Sequence, residues 1–204
     1  MTEADQAEDA PSSEPISKGE PATVEVRQPP SYKLFAVIAA LAAVADLASK
    51  EWATHALARS ELSRAAQRQI TVIPNFFTLE YQQNPGGAWS MLRQQPEIWR
   101  RPFFLFVSTV ASVFITSLYQ RVDNRDWAMK YGLPLALGGA IGNLVDRARR
   151  GSVVDFLHVF AKYGGRDHHW PTFNVADVWI VVGVILMGSS VLLRRSFASA
   201  STED

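Results

Sequence analysis

Four apolar runs, each close to the length that crosses a lipid bilayer, constrain this chain more than any other feature. They cover residues 32 to about 53, 102 to about 119, 131 to about 147, and 175 to 193. A helix needs about 20 apolar residues to cross the hydrocarbon core. A chain in lipid must also satisfy its own backbone hydrogen bonds, so each run is expected to be helical. Pro102 suits the first position of the second helix. The short, charged link over residues 120–130 makes the second and third helices antiparallel neighbours. Gly138, Gly139, Ala140 and Gly142 let the third approach its neighbours closely, and Arg194-Arg195 is expected to stop the fourth at an interface. Four spans put both termini on one side. Basic residues flank both ends of the runs, so charge does not decide which side is cytoplasmic.

The remaining segments differ in kind. Residues 1–30 carry seven acids against Lys18 and Arg27, with prolines between them, too little apolar surface to pack. With no basic n-region and no apolar h-region, the segment is not a signal peptide; it is expected to be a disordered acidic tail. Residues 31–195 form the membrane domain and 196–204 a polar C-terminal tail. Arg59, Glu61, Arg64 and Arg68 suggest a short polar helix. Residues 70–73 and 76–81, β-branched and aromatic with Pro74-Asn75 between them, read as a small sheet outside the bilayer. The 20 basic and 20 acidic residues balance, so no strong field argues for nucleic acid. The chain has no cysteine, which excludes disulfides, thiol nucleophiles and thiolate metal sites.

Polar residues gather at the edges of the runs, where charge is costly and usually functional. Asp46 and Lys50 are spaced to pair along a helix, either as an interfacial salt bridge or as a brace for a site. Asn143, Asp146 and Arg147 lie three and four residues apart, on one helix face. Asp146-Arg147 reads as a buried structural pair. Asp155 follows Val153-Val154 and precedes Phe156, and Asn174-Val175-Ala176-Asp177 opens the fourth run. That last segment could be no more than a capping box, yet Asp155 and Asp177 are expected to come together. His158, His168 and His169 stand near two acids, but the adjacent pair lacks the spacing of a helical metal site, and Ser152 with His158 has no third partner. Neither metal nor cofactor is expected.

These residues resemble the lipoprotein signal peptidases (signal peptidase II) of bacterial inner membranes over residues 33–193. The resemblance rests on Asp46-x-x-Ser49-Lys50, Asn84-x-Gly86-x-Ala88-Trp89-Ser90, and Gly138-Gly139-Ala140-Ile141-Gly142-Asn143-x-x-Asp146-Arg147. Val153-Val154-Asp155-Phe156 and Phe173-Asn174-x-Ala176-Asp177 complete it, all in order. Trp89 stands where phenylalanine is usual, and the acidic tail is longer than the family needs. The resemblance implies an all-α membrane protein with four transmembrane helices, a small extramembrane β-cradle after the first helix, and a mobile periplasmic flap over residues 156–172. Gly164-Gly165 would be the flap's hinge. It implies a multi-pass inner-membrane protein, a monomer, with cytoplasmic termini and a site near the periplasmic leaflet. It also implies the activity: removal of signal peptides from prolipoproteins whose cysteine already carries diacylglycerol, with prolipoprotein and membrane lipid as partners. By position, Asp155 and Asp177 would be catalytic. Asn84, Gly86, Asn143, Asp146, Arg147, Asn174, Asp46 and Lys50 would support the site or bind substrate.

Two carboxyls can hydrolyse a peptide without nucleophile or metal if one is ionised and the other neutral. Asn174 as N-cap puts Asp177 at the third helical position, where backbone N–H groups favour a carboxylate. Desolvation favours the neutral form of Asp155. Asp177 is thus expected to start as the base and Asp155 as the proton donor. Two other functions fit membrane acids, a proton-coupled transporter and a non-catalytic scaffold. A relay, however, wants its acids near mid-span, whereas these cluster at one end.

Overall fold

The computed structural model describes residues 28–57, 69–87 and 91–200, with side chains up to Leu192. Among these residues the chain forms helix α1 (Tyr32–Leu57), strands β1 (Ile70–Ile73) and β2 (Phe77–Asn84), then helices α2 (Glu97–Tyr119) and α3 (Trp127–Arg150). Strands β3 (Val153–Tyr163) and β4 (Arg166–His169) and helix α4 (Val175–Ala200) follow. The segments expected to hold the acidic tail and the polar helix around Arg64, and the stretch Ala88-Trp89-Ser90, lie mostly or wholly outside the described residues.

Contacts between helix ends show an up-down-up-down bundle. Tyr119 at the end of α2 donates its hydroxyl to the Ser31 carbonyl before α1, and Ser190 late in α4 bonds Asp126 at the start of α3. At the other end, Arg101 early in α2 donates to the Ala148 carbonyl late in α3, and Arg150 reaches Glu51 and Thr54 of α1. The sheet stands at that second end, on the side of the bundle where α1 and α3 finish and α4 begins.

α1, α2 and residues 175–192 of α4 are each long and apolar enough to cross a membrane. They expose large apolar side chains, among them Leu41, Val44, Phe106, Val113, Phe114, Val184 and Ile185. α3 lies at the centre instead, packed against each of the other helices. Its apolar content is diluted because its buried face includes, beside Leu133 and Leu137, Gly132, Gly138, Gly139, Gly142, Asn143 and Asp146. Gly142 is required there. A Cβ at that position would collide with the Asp46 carboxylate of α1.

Several boundaries differ from the sequence reading. α2 begins at Glu97 after Pro96, so Pro102 lies inside the helix rather than at its first position. α3 starts earlier, at Trp127, because the Asp126 side chain caps it by accepting from the Met129 N–H at 3.0 Å. Arg194-Arg195 does not stop α4, which runs on to Ala200; backbone hydrogen bonds, not charge, decide where a helix ends.

The sheet is larger than the two strands expected, with four antiparallel strands in the order β1-β2-β3-β4. Most of the segment expected to be a flap is the β3–β4 hairpin. Gly164 and Gly165, at φ 61° and 73°, form its two-residue turn. Two consecutive positive φ angles match the right-handed twist of the flanking strands, so this pair closes a hairpin.

Candidate active site

β3 and α4 deliver the two acids. Asp155 is the third residue of β3, opposite Gln82 of β2, just beyond an irregularity in the strand pairing. Phe173 bridges back onto β3, its carbonyl accepting from the N–H groups of Phe156 and Leu157 while its N–H donates to the Leu157 carbonyl. That bridge sets where α4 begins. Asn174 and Asp177 then cap α4 reciprocally. The Asp177 N–H donates to Asn174 Oδ1 at 3.1 Å, and the Asn174 N–H donates to Asp177 Oδ2 at 3.2 Å. The capping box is present, and it does more than cap, because Asn174 Nδ2 donates to Asp155 Oδ1 at 2.6 Å. One asparagine therefore ties both acids together.

Both open onto a single cavity of ≈ 430 Å³ whose walls include Asn84, Asn143, Arg147 and Trp170. Asn143 of α3 donates through Nδ2 to Asp177 Oδ1 at 3.0 Å, and the Asn84 amide lies on the Asp155 side of the cavity. Burial first, and then the neighbouring Asp177 carboxylate, push the Asp155 carboxyl up to about 6, against the pull of the Asn174 hydrogen bond and the Asn84 amide. A carboxyl held at about 6 still keeps about a tenth of its molecules protonated at pH 7, far more than an unperturbed aspartate, as a proton-cycling acid requires.

The other sequence-selected residues divide by what they touch. Arg147 does not pair with Asp146. Adjacent residues on a helix point about 100° apart. Instead Arg147 donates to the carbonyls of Asn143 and Gly86, at 3.3 and 3.1 Å, and lies over the Phe104 ring. Gly86 is thereby fixed to the cavity rim, helped by its N–H donating to Asn84 Oδ1 at 3.0 Å. Asp146 turns to the interior, where its Oδ2 accepts from the Val154 N–H at 3.1 Å. Asp46 and Lys50 pair at 2.7 Å as expected, but fully buried rather than at an interface.

Phe173, quoted in the last motif, also lines the cavity, as do Gln82, Arg93 and Thr172, which the sequence reading did not assign to the site. Thr172 was findable from its place just before the Asn174 cap. Arg93, between the sheet and α2, gave no signal. Among the described residues no three His, Cys, Asp or Glu side chains are grouped so as to hold a metal ion. His158 and His169 do approach each other, at 3.1 Å, but with only Glu80 beside His158.

Fold and site together define a class: a mostly helical membrane protein with a small antiparallel sheet, carrying two carboxyls on one cavity at a bundle end. The sequence profile described as Signal peptidase (SPase) II matches residues 38–193. The lipoprotein signal peptidase of Geobacter metallireducens is 37% identical over 163 residues, covering 80% of this chain and 93% of that protein. That of Desulforapulum autotrophicum is 40% identical over 144 residues, covering 70% and 85%. A solved structure described as a bacterial membrane enzyme, determined by the in meso method at 2.3 Å, superimposes with a TM-score of 0.67. It is 24% identical and covers 84% of this chain and 94% of that one, a likeness of fold. The chain belongs to the signal peptidase II family.

Proposed function

We propose that Asp155 and Asp177 are the acids with which this chain cuts. As a member of its family, the protein is an aspartic-type peptidase that removes lipoprotein signal peptides. Its substrate is a diacylglyceryl-modified prolipoprotein, cleaved immediately before the lipidated cysteine. One observation carries the reading: Asn174 joins Asp155 to Asp177, and both face one cavity.

The reaction follows from the surroundings of each acid. Asp177, held by the Asn143 amide and the Asn174 N–H, starts ionised and takes a proton from water. The water oxygen attacks the carbonyl carbon before the cysteine while Asp155 gives its proton to the carbonyl oxygen. As the tetrahedral intermediate collapses, Asp155 recovers that proton and the C–N bond breaks. Asp177 returns the other proton to the departing amine, and the signal peptide leaves as a carboxylic acid.

The exposed apolar faces of α1, α2 and α4 fit a membrane. With α3 at their centre they make four transmembrane helices in a bacterial inner membrane. The termini are cytoplasmic, and the sheet and cavity sit at the periplasmic leaflet. Residues 31–195 constitute the peptidase, which works as a monomer.

Asp155→Asn and Asp177→Asn, each close in shape to the parent, test the assignment. Each should abolish cleavage of a diacylglyceryl-modified proprotein while the protein stays folded and binds it. The double variant should be scarcely worse than either single, because the two act as a unit. Cleavage at the parental rate by either single variant would refute the assignment.

A further inference from the structure

Away from the cavity walls, Asp46, Lys50 and Asp146 form a charged triad sealed between α1 and α3, with side chains 0%, 0% and 1% exposed. Lys50 Nζ lies 2.7 Å from Asp46 Oδ2 and 3.5 Å from Asp146 Oδ2, and donates to Asn143 Oδ1 at 2.8 Å. Buried ion pairs of this kind are poor stabilisers compared with packed apolar side chains. Their neighbours point to another use. Asp46 Oδ1 accepts from the Ala176 N–H at 2.8 Å, and Asp146 Oδ2 accepts from the Val154 N–H at 3.1 Å. Ala176 and Val154 immediately precede Asp177 and Asp155. Each acid of the pair is therefore held through the residue before it, and both holds meet at one ammonium group.

The third contact fixes a direction. An ammonium group only donates hydrogen bonds, so Asn143 must turn Oδ1 toward Lys50. Its Nδ2 is then left for Asp177, 3.0 Å away. Asn174 Nδ2 also reaches Asn143 Oδ1, at 3.4 Å, so the cation is the closer of two donors that hold the amide this way round. We infer that Lys50 is a positioning residue of the aspartate pair. Through Asp46 and Asp146 it sets the spacing of the two acids, and through Asn143 it keeps a donor aimed at Asp177. The inference rests on the proposed role of those acids and adds what holds them in register. Placement errors of about 1 Å at reacting groups can cost about 100-fold in rate, so the effect belongs in kcat.

The test replaces the ion pair without changing net charge, using Asp46→Asn/Lys50→Gln in the full chain. Asn at position 46 can still accept from Ala176, and Asp146 keeps Val154. With a diacylglyceryl-modified proprotein, KM should stay within about threefold of the parent while kcat falls at least about tenfold. Asp46→Asn alone retains Lys50 and should lose much less. Parental kcat in the double variant, or an equal loss in Asp46→Asn alone, would overturn the role given to Lys50. Should the double variant fail to accumulate, Asn143→Asp decides. It gives Lys50 a carboxylate partner, so the protein should fold, but it removes the donor to Asp177. Its kcat should fall by at least about tenfold with KM near parental; an unchanged kcat overturns the inference. Failure of the aspartate assignment itself would show separately, as cleavage by Asp155→Asn or Asp177→Asn.

Discussion

Asp155 serves the site at the expense of the fold. Its carboxyl is held up at about 6, against 3.8 for an unperturbed aspartate. Between those pH values the folded chain keeps a proton that the unfolded chain has released. This group's contribution to stability therefore falls as pH rises through that window and levels off above it. The gap corresponds to about 3 kcal/mol. Asp155→Asn, which cannot ionise, should melt above the parent at pH 7.5 and approach it at pH 4. A parent that melts higher at pH 7.5 would show that burial of this carboxyl is not costly. Arg147→Ala should act oppositely. It strips hydrogen bonds from the Gly86 and Asn143 carbonyls and the cation from the Phe104 ring. Charged hydrogen bonds to buried groups are worth about 1.5–3 kcal/mol each, so membrane abundance and melting temperature should both fall. A variant that accumulates and melts like the parent would make Arg147 a substrate contact rather than a rim support.

At the scale of elements, the β3–β4 hairpin stands directly beside the cavity. Its turn needs positive φ at both Gly164 and Gly165, a region that costs a residue with a Cβ about 1–2 kcal/mol. Gly164→Ala/Gly165→Ala should speed hydrogen exchange over residues 157–170 and leave the α1 and α3 amides unchanged. Uniform loss of protection would mean that the hairpin and bundle unfold together. Bound inhibitor should slow exchange in the same segment, because Trp170, Pro171 and Thr172 line the cavity; equal exchange with and without inhibitor would count against a responsive wall. How much of this was readable varied with the physics behind each element. The apolar runs announced α1, α2 and α4 because lipid-facing length is a local property. The motif residues around Asn143 and Asn174 were legible because helix caps and faces are local too, whereas Asp155, on β3, stood out through the motif around it. The hairpin was missed although Gly164-Gly165 between apolar stretches is a two-residue turn signal; its glycines read as a hinge. The Asp46–Lys50–Asp146 triad was not legible as a unit, since pairing Asp46 with Ala176 depends on how α1 and α4 pack, far apart in sequence.

The whole molecule wears aromatic residues at both ends of its apolar belt. Trp52, Trp99 and Trp170 are exposed toward the sheet, and Tyr32, Trp127 and Tyr131 are exposed at the opposite end. Such rings favour the two membrane–water interfaces, which fits a bundle spanning the bilayer upright. The segment before Gln28 should be dispensable, and the boundary is set by structure: the Gln28 carbonyl accepts from the Asn124 N–H, and the Ser31 carbonyl from Tyr119. A chain lacking residues 2–27 should insert and cleave as the parent does, whereas cutting through Ser31 should lower its melting temperature. Loss of cleavage by the shorter deletion, at normal abundance, would give the acidic segment a role in the reaction.

Asn174 caps the last of the four helices and Asp177 stands in its first turn, while Asp155 and Asn143 come before it. During synthesis the second acid leaves the ribosome after α1, α2, α3 and the sheet. A nascent chain that has inserted α1, α2 and α3 therefore carries a cavity wall but no pair of acids. With the two acids in the roles proposed for them, such a chain cannot yet cut, and its activity waits for α4.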